Sequence, residues 1–265
     1  MSLPVIAVGV AVLAWAWLNL APPWSVIPVL AAVASAGRAS RPFRGRRRLL
    51  APVYRSVMAP PPGIVAAVED LAPVFGLRAR RIQVVVQRYG RGRARHLPLA
   101  AAAGWRGGGV VIADDDLAAK SLSSQPGDRV DGEVRAVVSH ELGHLYALHS
   151  ITSVADRFTL SAVVTTSVCG ALRQRAVAGV TSPAWLAVHG VVLVGVLAVS
   201  VLAMRWESRV CEYAADRKAA AALGTGAALA AALTHDFGGH SSGWRALWST
   251  HPPIDKRAAR LRRVA

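Results

Sequence analysis

The sequence predicts a mainly α-helical chain with a small β-sheet, held in a membrane. Three observations carry this expectation. Long uncharged apolar stretches occur, of which Pro183–Met204 is the clearest. Val134, Val137, Val138, Leu142 and Leu145 recur at helical spacing. Only two short β-branched runs, Ile82–Gln87 and Val110–Ala113, read as strands. The chain has 265 residues, 53% of them hydrophobic, with 31 Lys+Arg against 15 Asp+Glu. A mean hydropathy of +0.37 with a net charge of +16 excludes intrinsic disorder, which needs low hydrophobicity. Cys169 and Cys211 are too few for a disulfide scaffold.

From the amino terminus, Leu3–Leu20 is uncharged, Pro22-Pro23 interrupts it, and Trp24–Gly37 continues uncharged. One bilayer crossing takes roughly 20 apolar residues. A helical hairpin turning at the prolines is the expected form, over one long kinked span or a cleaved signal peptide. Arg38, Arg41, Arg44, Arg46, Arg47 and Arg48 follow directly. Such density beside an apolar block places the segment after it on the cytoplasmic side. It lacks the interleaved aromatics of a nucleic-acid patch, so no nucleic-acid partner is expected.

Residues 49 to 77 read as helical, broken by Pro60-Pro61-Pro62, with Gly76 closing an amphipathic stretch over Val65–Phe75. The strand at Val110–Ala113 follows a glycine turn and is a candidate edge for an extended substrate backbone. Residues 120 to 132 read as a loop, and Glu133–His149 as a helix. Phe158–Leu172 is either a short span or a buried helix. Pro183–Met204 is a span bracketed by Trp185 and Trp206, with Arg205 and Arg209 cytoplasmic. Arg173 and Arg175 would then face outward, a conflict the larger arginine cluster outweighs. Lys218–Leu233 is Ala-rich and helical. The expected organisation is a membrane segment over 1–37, a catalytic part over 38–150, a membrane hairpin over 151–204 and a second catalytic part over 205–265.

On the Glu133–His149 helix lies His140-Glu141-Leu142-Gly143-His144, the H-E-x-x-H pattern. Residues i and i+4 share a helix face, so both imidazoles can reach one ion. Zinc suits two imidazoles and a carboxylate, with a fourth position open to water. Glu141 is placed to polarise that water, whose pKa a zinc ion brings down towards about 7. The competing reading is an amphipathic helix with two surface histidines.

The third ligand separates the classes. A metzincin needs Gly at 147 and His at 150, where this chain has Ala147 and Ser150. His149, five residues past His144, points off the ligand face. A gluzincin takes a Glu from a later helix, and Glu212-Tyr213-Ala214-Ala215-Asp216 fits: Glu212 would ligate and Asp216 would accept a hydrogen bond from a ligand histidine. Alternatively, Glu212 and Asp216 pair with Arg209 and Arg217 on an exposed face.

Three blocks together resemble the HtpX-like membrane zinc metalloproteases, relatives of the CAAX prenyl proteases. They are Val137–His144, Arg209–Asp216, and Ser249-Thr250-His251-Pro252-Pro253 with Arg257 and Leu261 beyond. The resemblance runs in order over roughly residues 60 to 263. The chain departs from the family's pattern at Ala94–Ala103, which has no Asn. The resemblance implies a zincin-type domain that hydrolyses peptide bonds, with one Zn2+ per chain held by His140, His144 and Glu212. Glu141 would serve as general base and then pass its proton to the leaving amine. His251 is the candidate oxyanion stabiliser, with Tyr213 behind it. A helix N-terminal turn with Pro at its first position is the other reading of His251-Pro252-Pro253.

The expected function is therefore a zinc endopeptidase of a bacterial plasma membrane, its active site facing the cytoplasm. Its partners would be the bilayer and a protein or peptide substrate, drawn from membrane or misfolded proteins. A regulatory protease cleaving one signalling protein or repressor, and an inactive membrane scaffold, are the alternatives.

Overall fold

The computed structural model describes residues 2–20, 24–40, 58–87, 100–105, 108–123, 125, 129–147, 149–178, 183–236 and 251–263. The Pro22-Pro23 turn, the arginines from Arg41 to Arg48, residues 49–57, the stretch Ala94–Leu99 and Ser249-Thr250 lie outside the described residues. The chain divides into two compact units, Met1–Arg41 with Ile151–Trp206, and Pro42–Ser150 with Glu207–Ala265.

The first unit contains α1 (Ser2–Asn19) and α2 (Val26–Ser40), two separate apolar helices in mutual contact. Ala16, Leu20 and Cys169 are buried together, with Trp24 packed on them. The unit also contains a 30-residue helix, α3 at His149–Ala178, within which Phe158–Leu172 is only the middle part. Its hydroxyls turn inward on their own helix: Thr165 donates to the Ser161 carbonyl and Ser167 to the Val163 carbonyl at 2.9 Å. Polar side chains in an apolar helix are satisfied this way where water is absent. A further helix, α4 (Pro183–Leu223), runs 41 residues and belongs to this unit up to Trp206 and to the second unit from Glu207, so the apolar run and the Glu212 segment are one helix. Among the described residues one helix, Gly190–Leu223, is long and apolar enough to cross a membrane by length and composition, and Ile6–Asn19 and Val26–Gly37 are shorter apolar helices. Val191, Val194 and Val199 are exposed on it.

The second unit starts from α5 (Pro62–Leu71), whose first position is a proline that needs no hydrogen-bond donor there. A 3-10 turn over Ala72–Phe75 follows, closed by Gly76 at φ 67°. The sheet is β1 (Ile82–Gln87), β2 (Ala100–Trp105) and β3 (Gly108–Asp114), in the order β1-β3-β2. β3 pairs in parallel with β1, Val84 opposite Val111, and antiparallel with β2, Ala102 opposite Val111. The strand containing Val110–Ala113 is therefore central. Its backbone groups are taken up on both sides, and it cannot be the substrate edge. The edges among the described residues are β1 and β2. No β-branched residue announces β2, which is Ala-Ala-Ala-Ala-Gly-Trp and is formed by pairing with β3.

Asp114 ends β3 and caps α6 (Asp115–Ser123), its Oδ1 accepting the Leu117 N–H at 2.8 Å. α7 (Arg129–Tyr146) carries the H-E-x-x-H residues. The stretch read as a loop over residues 120–132 thus contains the end of one helix and the start of the next. α7 buries Val134, Val138, Leu142 and Leu145 in a core shared with Ile64, Val68, Leu71, Phe75, Val111 and Leu117. A second core joins Ala136 to Ala219, Ala220, Leu229, Leu233, Ala258 and Leu261. It ties α4 to α8 (Ala227–Asp236) and α9 (Ile254–Leu261). Gly224, at φ 70°, ends α4 in a conformation that other residues resist, so the Ala-rich run Lys218–Leu233 is two helices rather than one.

Candidate metal centre

The residues of the site all lie in the second unit, on α7, on the part of α4 after Trp206 and just ahead of α9. On α7 one helical turn separates His140 from His144, and their rings meet edge to face with centroids 4.7 Å apart. His140 Nε2 lies 3.0 Å from His144 Nε2. From α4, Glu212 brings Oε2 to 3.4 Å from His140 Nε2 and Oε1 to 3.5 Å from His144 Nε2. One turn on, Asp216 Oδ1 lies 3.0 Å from His140 Nδ1, the opposite nitrogen of the same ring. His251, just ahead of α9, places Nδ1 3.0 Å from Glu212 Oε1 and keeps its side chain 53% exposed. Glu141 is buried beside these groups.

The donors suit a metal ion. One nitrogen of each histidine and one oxygen of Glu212 fall within 4.8 Å of one another. A tetrahedral zinc with bonds of ~2.0–2.1 Å needs ligand atoms about 3.3 Å apart; here the two Nε2 atoms are 3.0 Å apart, and the Glu212 oxygens approach them at 3.4 Å (Oε2 to His140) and 3.5 Å (Oε1 to His144). The Asp216 carboxylate lies against Nδ1 of His140, on the side of the ring away from Nε2.

Arg257 is the residue for which sequence reasoning had no role. It stands on the buried face of α9 and reaches two carboxylates at once. Its Nη1 is 2.9 Å from Glu212 Oε2, its Nε donates to Asp216 Oδ2 at 2.9 Å, and its Nη2 donates to Asp216 Oδ1 at 2.7 Å. Nη2 also lies 3.4 Å from His140 Nε2. The carboxylates are thus paired by a buried arginine 41 residues beyond Asp216, whereas Arg217, the neighbour the sequence offers, is exposed. The Arg260 guanidinium sits 3.9 Å from the Tyr213 ring centroid. The sequence signalled Arg257 by its place after the His251-Pro252-Pro253 block, without indicating its partners.

The electrostatics follow from burial and these partners. Burial drives the Glu141 carboxyl up and Glu212 adds to it, against the cations around it, so that it reaches about 7. Burial would lower His140, but hydrogen bonds to Asp216 and Glu212 outweigh it and raise the imidazole to about 9. Burial would likewise raise Glu212, yet hydrogen bonds from His140 and His251 and the Arg257 charge hold it well below the usual carboxylate range. Asp216 is lowered for the same reason, by His140 and Arg257 against burial. His251 is raised, chiefly by its bond to Glu212.

Comparison with known proteins places these features in a family. The family model described as Peptidase family M48 matches residues 66–265. A crystal structure of S. mikatae Ste24p superposes with a TM-score of 0.58 at 17% sequence identity, over 97% of this chain and 61% of that one. The chain therefore spans about three fifths of the length of that structure, and the likeness concerns the fold. No curated protein matches the chain.

Proposed function

Because the chain belongs to peptidase family M48, we propose that it is a membrane-anchored zinc endopeptidase with one Zn2+ per chain held by His140, His144 and Glu212. The observation that carries this reading is the convergence of the two imidazoles of α7 and the Glu212 carboxylate of α4 within 4.8 Å, with Asp216 behind His140. A zinc ion there would supply an acidified water and a polarised carbonyl.

The chain's own groups complete the chemistry. Glu141, with its carboxyl near 7, holds and releases a proton close to neutrality, as a general base that becomes a general acid must. It takes a proton from the attacking water on a carboxylate oxygen and delivers it to the departing amine nitrogen. His251, anchored through Nδ1 to Glu212, is assigned to stabilise the developing oxyanion. Asp216 orients His140. The substrate backbone docks on an edge strand, β2, which packs against α7.

Substrates are proteins of the membrane or misfolded proteins, a class supported by the resemblance to the HtpX-like proteases. The arginines from Arg38 to Arg48 support a cytoplasmic active site at a bacterial plasma membrane.

Metal analysis combined with Glu141→Gln tests the proposal. The detergent-solubilised wild type should contain zinc and cleave an unfolded protein substrate. Glu141→Gln should keep zinc and lose about 10²–10⁴-fold of the rate. A wild type that binds no zinc sinks the enzyme reading and leaves the scaffold alternative.

A further inference from the structure

The helices that supply the metal ligands touch at their smallest residues. Gly143 on α7 faces Ala215 on α4: a Cβ at position 143 would stand 3.0 Å from the Ala215 carbonyl oxygen, 3.1 Å from its Cα and 3.3 Å from its Cβ. Two of these three atoms are backbone, which cannot rotate away. One turn further along the same seam, Ser139, fully buried, donates to the Ala219 carbonyl at 3.4 Å. The helices thus run antiparallel along Ser139 and Gly143 on one side and Ala215 and Ala219 on the other.

The position of this contact matters for the site. Gly143 is three residues after His140 and one before His144, and Ala215 is three after Glu212 and one before Asp216. Residues three and four apart share a helix face. The closest approach of the two backbones therefore falls in the middle of the four groups that form the cage. Whatever separates Gly143 from Ala215 separates the imidazoles from the carboxylates by a similar amount.

We infer that Gly143 is a positioning residue for the metal centre: its missing side chain sets the distance between α7 and α4 at which Glu212 and the two histidines can share one ion. This rests on the zinc reading above. Ordinary van der Waals spacing for an added Cβ would move one helix by several tenths of an ångström. Metal sites tolerate departures of about 0.2 Å from their proper ligand distances. Helix propensity pulls the other way, since Ala is the better residue in a helix interior. That opposition makes the inference testable.

The experiment measures zinc affinity by chelator competition, and the melting temperature of the metal-free full chain in detergent, for wild type, Gly143→Ala and Gly132→Ala. Gly132 lies on the same helix, and an added Cβ there meets nothing within 4 Å. Gly143→Ala is expected to weaken zinc binding by about tenfold or more, with a cooperative metal-free melting transition showing that the chain still folds. Gly132→Ala should leave zinc affinity at the wild-type value. Equal zinc affinity in Gly143→Ala and wild type overturns the inference and leaves the zinc reading standing. A wild type that binds no zinc overturns both. Should Gly143→Ala fail to fold, the double variant Gly143→Ala/Ala215→Gly decides. It withdraws the 3.3 Å contact and keeps the two backbone ones. Weaker zinc binding than wild type then supports the inference, and wild-type affinity overturns it.

Discussion

Arg257 grips Asp216 in a two-point fork, Nε on Oδ2 at 2.9 Å and Nη2 on Oδ1 at 2.7 Å, with both side chains buried. The same guanidinium reaches Glu212 at 2.9 Å through Nη1. One cation of α9 therefore holds the two carboxylates of α4 in their relative orientation. A buried charge pair of this kind is costly to break, because the partner left behind is an uncompensated charge.

Arg257→Met is accordingly expected to destabilise the second unit by about 3 kcal/mol or more. Arg257→Lys should recover only part of this, since an ammonium cannot make the planar two-point contact. Thermal melting of both variants checks the expectation, and a melting temperature equal to that of the wild type for Arg257→Met would contradict it.

His251→Ala addresses the second electrophile. If His251 stabilises the oxyanion, its loss should lower kcat by about 10²–10³-fold with zinc content unchanged. The imidazole is half exposed and meets Glu212 through Nδ1. Retained zinc with an undiminished rate would assign His251 to the turn that starts α9.

The metal-free protein should lose stability as pH rises. His140 is raised from 6.5 to about 9 in the fold, so the folded state holds that proton more tightly than the unfolded chain. Its contribution is complete below about 6.5 and is lost as pH climbs through about 9. Glu141, raised from 4.5 to about 7, acts in the same direction over a lower window: its contribution is complete below about 4.5 and gone above about 7. Zinc must displace the His140 proton, so its apparent affinity should rise with pH up to about 9, by roughly tenfold per pH unit where one proton is released. Zinc titrations between about pH 6 and about pH 8.5 measure this slope, and a flat profile would remove the assignment of that proton to the site.

Several features were legible in the residues because they are local. The i, i+4 spacing of His140 and His144 and the one-turn spacing of Glu212 and Asp216 need only helical periodicity to put each pair on one face. The apolar runs and the clustered arginines are compositional facts about continuous segments. The strands Ile82–Gln87 and Val110–Ala113 were readable from β-branched residues, but β2 was not, because alanines acquire a strand conformation only from a neighbour to pair with.

Tertiary structure decided the rest. Which strand is central depends on hydrogen bonds between segments, and that removed Val110–Ala113 from the sheet edge. Arg257 stood out in the sequence only by its place after the His251-Pro252-Pro253 block, and its partners appear only when α9 folds against α4 and buries it between Glu212 and Asp216. Gly143 reads as a weak point in a helix until the backbone of Ala215 is seen opposite it. The division has one physical cause. Periodicity along a helix sets the direction of a side chain, whereas the distance between two helices is set by what each places in the seam between them.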